Sequence, residues 1–146
     1  MQIEVKINAS YEEPKIILLT AAMTEEVTLL LKKLSEASPR MLVGSRDSQL
    51  TVLEPEDLLR IYANSGKVFA VTEQGEYVLR LRLYELEERL SHRQFVRISN
   101  SEIVNLKKVK SFDLSFAGTI CVKLSNGTAA YVSRRYVPKI KQILGI

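Results

Sequence analysis

The run from Lys110 to Val132, KSFDLSFAGTICVKLSNGTAAYV, decides the fold class. Lys110 to Phe116 and Thr119 to Leu124 are strand-like, and Ala117-Gly118 between them reads as a hairpin turn. Asn126-Gly127 follows. Asn-Gly suits a two-residue type I′ turn, whose central residues both need positive φ. Thr128 to Val132 then completes a three-stranded meander. Cys121 lies inside it as a small buried hydrophobe, and as the single cysteine it excludes an internal disulfide.

The same pattern extends outward from this meander. Downstream, Ser133 is placed to N-cap a last helix with Tyr136, Val137, Ile140, Ile143 and Leu144 on its apolar face, and Pro138 sits in the first turns, where a missing N–H is tolerated. Upstream, Phe95 to Ile98 and Ile103 to Leu106 are apolar stretches broken by Ser99-Asn100-Ser101. Leu83, Leu86 and Leu90 have helical spacing. Gln49 to Glu54, Leu58 to Tyr62, Lys67 to Thr72 and Tyr77 to Arg82 read as strands, with breaks at Asn64-Ser65-Gly66 and Gln74-Gly75. Residues 41–146 are therefore expected to form a mainly β domain with short helices. Residues 1–40 are expected to form a separate β-β-α unit. Its strands would be Ile3 to Ile7 and Lys15 to Thr20, and its helix would carry Val27, Leu30, Leu31 and Leu34 on one face. Thr24 is the N-cap, Glu25 and Glu26 favour the positive end of the helix dipole, and Ser38-Pro39 is the stop. So short a unit cannot bury a core alone.

With 146 residues, 46% hydrophobic and 26% charged, the chain suits one globular domain plus an accessory unit. No apolar run approaches the roughly 20 residues of a membrane-spanning helix, and MQIEVKINAS has no signal-peptide core, so a cytoplasmic location is expected. His92 and Cys121 each stand alone, which is too few for a usual metal site. Phosphate-loop and nucleophile-elbow motifs are missing, so neither an enzyme nor a cofactor is expected. Charge is unevenly distributed. From Arg93 to Ile146 ten Lys/Arg face only Glu102 and Asp113, a local charge of +8, whereas the rest is −4. A basic pool of this kind suits a polyanion, most often nucleic acid.

Polar residues beside Lys or Arg recur at strand ends: Asn64-Ser65-Gly66-Lys67, Arg97-Ile98-Ser99-Asn100-Ser101, Lys107-Lys108 and Ser133-Arg134-Arg135. An Arg fork matches guanine O6 and N7, and an Asn amide matches adenine. Lys and Ser suit phosphate oxygens. Each also has a purely local explanation: an Asx turn at Asn100, a helix cap at Ser133, a solvated turn at Lys107-Lys108.

In combination, Asp57-Leu-Leu-Arg-Ile-Tyr62, Leu83-Tyr-Glu-Leu-Glu-Glu-Arg-Leu90, Phe95-Val-Arg-Ile-Ser-Asn-Ser-Glu-Ile-Val-Asn-Leu106, Leu124-Ser-Asn-Gly127 and Val132-Ser-Arg-Arg-Tyr136 resemble a LytTR-type DNA-binding domain over about Leu50 to Ile146. The resemblance implies an elongated fold of stacked small antiparallel sheets with short helices, whose loops enter successive major grooves of bent double-stranded DNA at direct-repeat sites. By matching position it implies Asn100 and Arg134 as base readers. The third contact falls around Ser65, Gly66, Lys67 and Phe69, where this chain departs from the family pattern: Ala63 stands where an acidic residue is common, and no His lies near Phe69. Lys67 is the reader favoured there. Ser65, Ser101, Lys107, Lys108, Ser133 and Arg135 are the expected backbone contacts. Residues 1–40 are too few for a phosphoryl-accepting receiver, so the chain resembles the stand-alone regulators, which are often paired with an inhibitory small integral membrane protein. The apolar helix face of residues 1–40 is expected to supply a homodimer contact or a contact with such a membrane partner, the alternative being that the unit simply caps the domain. The alternative function is a protein-interaction module whose basic face docks an acidic protein.

Overall fold

The computed structural model describes residues 1–12, 14–37 and 42–146. They divide into two units, Met1–Arg40 and Met41–Ile146. In the first, α1 spans Glu25–Ala37. The Thr24 hydroxyl accepts a hydrogen bond from the Val27 N–H at 3.3 Å, the expected cap. The two expected strands do not form. Ile3 to Ile7 and Lys15 to Thr20 have no ladder partner among the described residues. Alternation records only that a segment suits a half-buried pleated surface; a strand also needs a neighbour for its backbone groups. The stop read at Ser38-Pro39 lies outside the described residues.

The second unit is mainly β. It comprises β1 (Leu42–Arg46), β2 (Gln49–Leu53), β3 (Arg60–Asn64), β4 (Lys67–Thr72), β5 (Gly75–Leu79), α2 (Leu83–Arg89), β6 (Phe95–Ser99), β7 (Glu102–Asn105), β8 (Val109–Asp113), β9 (Ile120–Leu124), β10 (Ala129–Val132) and α3 (Val137–Leu144). Seven strands form one antiparallel sheet in the order β2-β1-β5-β4-β3-β7-β6, and β10-β9-β8 form a second. The period of two explains why the large sheet has a core on each face. Ile61, Ala70, Phe95 and Ile103 pack in one cluster with Leu83 and Leu86 of α2 and with Leu90, which caps its C-terminus. Their chain neighbours Val71, Val96 and Val104 point the other way, into a cluster with Ile120, Val122, Leu124 and Val132 of the small sheet and Ile140 of α3. Each fully buried aliphatic side chain contributes about 1.5–3 kcal/mol, so both faces hold the sheet in register.

The turns differ from the sequence reading in an instructive way. Gly127 has φ 87°, but Asn126 does not share a positive φ. Gly127 N–H donates to the Leu124 carbonyl and Leu124 N–H to the Thr128 carbonyl, both at 2.9 Å, the pattern of a three-residue loop closing on a glycine bulge. The Asn126 side chain accepts from Thr128 N–H at 3.0 Å, a local bond that a type I′ turn does not require. The two-residue turns with both φ positive lie at Asp47-Ser48 (51° and 63°) and Ser65-Gly66 (51° and 78°). β8 stops at Asp113 rather than Phe116, because the Asp113 carboxylate accepts from both the N–H and the hydroxyl of Ser115. Those bonds hold its pKa below the usual 3.8. Ser133 does not cap α3: a 3-10 turn, Arg134–Tyr136, intervenes, and the Ser133 N–H instead bonds the Ile98 carbonyl at 2.9 Å.

Candidate nucleic-acid interface

Strand direction gathers three loop segments at one end of the β domain. β3 and β7 are antiparallel with Tyr62 opposite Glu102, so the end of β3 lies beside the start of β7. Ala63 N–H donates to the Ser101 carbonyl at 2.8 Å, joining the Ser65-Gly66 turn region to the β6–β7 turn. The Ser133 bond to Ile98 ties the end of β10 to the same end of β6. Finally, the Tyr136 hydroxyl donates to Asn100 Oδ1 at 3.2 Å. Lys67, Ser65, Asn100, Ser101, Arg134 and Arg135 are all exposed here, and Ser133 is half-buried.

Asn100 is held by its neighbours. The Arg97 guanidinium donates to the Ser99 carbonyl at 2.7 Å, to the Asn100 carbonyl at 2.5 Å and to Glu87 of α2 at 2.7 Å. Arg97 therefore spends its donors shaping the turn, and a bulge at Arg97–Ser99 re-aims the strand end. With Oδ1 receiving the Tyr136 hydroxyl, the Asn100 NH2 group has no acceptor among the described residues and is available as a donor. Arg134 lies over the β8–β9 loop, where a Cβ on Gly118 would stand 3.2 Å from its Nε. Glycine thus leaves the guanidinium room to lie close to the backbone. Arg135 sits 5.9 Å from the Tyr136 ring centre, a loose cation–π contact.

Lys107 and Lys108 are placed elsewhere. They follow β7 in a 3-10 turn at its opposite end, and the Lys108 carbonyl accepts from Ser125 N–H beside the Asn126-Gly127 turn. Buried Asn105 fixes that end by donating to the Leu58 carbonyl at 2.7 Å and accepting from Lys107 N–H at 3.0 Å. Two cations not singled out from the sequence join the Lys67 end. Val68 pairs with Leu79, so Arg80 and Arg82, both exposed, continue past β5 beside Lys67 and line a shallow cleft with Gly66 and Val68. Tyr62 stacks on Phe69 at 5.1 Å behind this end. Burial, and then its hydrogen bond to Glu76, raise the Tyr62 pKa above 10.0.

Residues 48–145 match the family model of the LytTr DNA-binding domain. The chain belongs to the LytTR family. An HTH-type transcriptional regulator of Staphylococcus aureus strain NCTC 8325 is 32% identical over 147 residues, covering 100% of this chain and 99% of the relative. Its counterpart in strain MRSA252 is 31% identical with the same coverage. A solved LytTr DNA-binding domain from Bacillus cereus superposes with a TM-score of 0.70 at 20% identity, covering 73% of this chain and 99% of that one, a likeness of fold. As a LytTR protein with such relatives, the chain is a DNA-binding transcription regulator. Among the described residues no two helices are joined by the 3–4-residue turn of a helix-turn-helix, since β strands separate α1, α2 and α3. No helix among them is long and apolar enough to cross a membrane.

Proposed function

We propose that this LytTR protein presents its three gathered loop segments to successive major grooves of a direct-repeat site, bending the duplex, with two protomers per site. Asn100 and Arg134 read bases, and Lys67 is the third reader. Ser65, Ser101, Ser133 and Arg135 hold the backbone around them, joined by Arg80 and Arg82. Lys107 and Lys108, at the far end of β7, contact phosphates only where the bent duplex reaches them. The single observation that carries this reading is the Tyr136–Asn100 hydrogen bond, which fastens the two base-reading segments to each other. A fixed distance between two readers is what converts separate contacts into sequence register.

Selection of bound sequences from random DNA tests it. The expected product is a motif repeated in the same orientation, and circular permutation of that site should change complex mobility with the position of the bend. An inverted repeat would overturn the direct-repeat arrangement, and position-independent mobility would overturn bending. Failure to retard any DNA at low salt would favour the acidic-protein alternative instead.

A further inference from the structure

The first unit holds a contradiction in chemical terms. Ile3, Val5 and Ile7 are 90%, 78% and 95% exposed, and no backbone hydrogen bond ties Ile3 to Ile7 to any described residue. A segment with strand alternation, three bare aliphatic side chains and a free ladder edge is a template for pairing with another chain. Its charges identify that chain. Ile3-Glu4-Val5-Lys6-Ile7 reads as a charge palindrome: laid antiparallel on a copy of itself about Val5, it sets Ile3 against Ile7, Val5 against Val5, and Glu4 against Lys6 twice. Neither charge has an ion-pair partner among the described residues.

We propose that this segment is a dimerisation strand which pairs antiparallel, across a two-fold axis at Val5, with the same segment of a second copy. The register is specified. A slip of one residue would bring Ile3 opposite Lys6 and mix the apolar and polar faces. A slip of two residues would set Glu4 against Glu4 or Lys6 against Lys6, and in-register parallel pairing would do both; like charges directly opposite are unfavourable. The self-complementary patch of an isologous interface is thus written into five residues. It also accounts for the missing strand, whose ladder neighbour lies in another molecule. The proposal does not depend on how the β domain meets DNA, and its test contains none.

Light scattering on the full chain should give a dimer mass at micromolar concentration. Glu4→Lys or Lys6→Glu should each weaken the dimer about tenfold, since each turns two attractive pairs repulsive, and the double exchange should restore it. Mild oxidation of Val5→Cys should give a disulfide-linked dimer quickly, because paired Cα atoms lie about 4.5–5.5 Å apart, within disulfide range. Ile3→Cys should not, because its copies stand about 13 Å apart along the strands. Cys121 is buried and stays out of the reaction. A monomer mass, equal cross-linking at both positions, or a double exchange that fails to rescue would overturn the proposal, as would a segment covered only when an integral membrane protein is co-expressed.

Discussion

The two ends of β7, a strand of four residues, differ in how they are built. At the Glu102 end, exposed polar side chains are tied to one another across separate loops: Tyr136 to Asn100, and Arg97 to two carbonyls of the turn and to Glu87. At the Asn105 end, one buried amide holds backbone to backbone, while Lys107 projects free of side-chain partners among the described residues. The first arrangement aims side chains outward at fixed spacing. The second keeps the chain in place and leaves the exposed Lys107 charge beside it. Under the proposed function, geometry fixed at one end and loose at the other would separate reading a sequence from holding a phosphate.

Breaking the amide staple should have the largest effect. Asn105→Ala leaves the buried Leu58 carbonyl and the Lys107 N–H without their partner, which costs about 2–3 kcal/mol of folding stability. Urea denaturation should show the midpoint falling accordingly. The ratio of specific to non-specific DNA binding by the folded fraction should be unchanged. A loss under about 0.5 kcal/mol would mean that water replaces the amide readily.

Arg134→Ala acts on the other end and should give the reverse profile. Stability should move by less than about 0.5 kcal/mol, as for an exposed residue. Specific binding should weaken by about 1–3 kcal/mol, with preference relaxed at one base position. Equal loss on random DNA would reassign Arg134 to the backbone.

Asymmetry between the two ends was only partly legible in the sequence. Phe95 to Ile98 and Ile103 to Leu106 were legible as apolar stretches, but which of Phe95 and Val96, or of Ile103 and Val104, faces which core was not read from them; the pleat of the paired strands sets it. The polar segments around Asn100 and Arg134 were visible because they interrupt the apolar pattern. Where Lys107-Lys108 lies was not visible, because it depends on β7 being four residues long and carrying the chain away from the reading end. Arg80 and Arg82 were missed because their position beside Lys67 follows from the Val68–Leu79 register, a pairing between strands rather than a property of either. The N-terminal strands failed as expectations because a local pattern, alternating at Ile3 to Ile7 and apolar at Lys15 to Thr20, does not supply the ladder neighbour a strand needs.

Tyr136→Phe sharpens the comparison within the reading end. The ring and its packing remain, and only the hydrogen bond to Asn100 is lost, worth about 0.5–1.5 kcal/mol net. Binding to the selected site should fall about twofold to tenfold while binding to random DNA holds, as read by fluorescence anisotropy. Equal loss on both would make Tyr136 a packing residue alone.

Lys107→Ala should produce the smallest change at moderate salt and the most uniform one. If Lys107 meets a phosphate, its removal weakens selected and random DNA alike and flattens the slope of log K against log salt by about one unit. Proximity of Lys107 to the reading end would instead predict selectivity, because a misplaced lysine would disturb Asn100. The structure separates them by the length of β7, and the Asn105 staple holds the backbone beneath Lys107 whether or not its side chain is there. A sequence-selective effect of Lys107→Ala would therefore show that the ends are coupled through the strand, and would require the staple and the reading turn to move together.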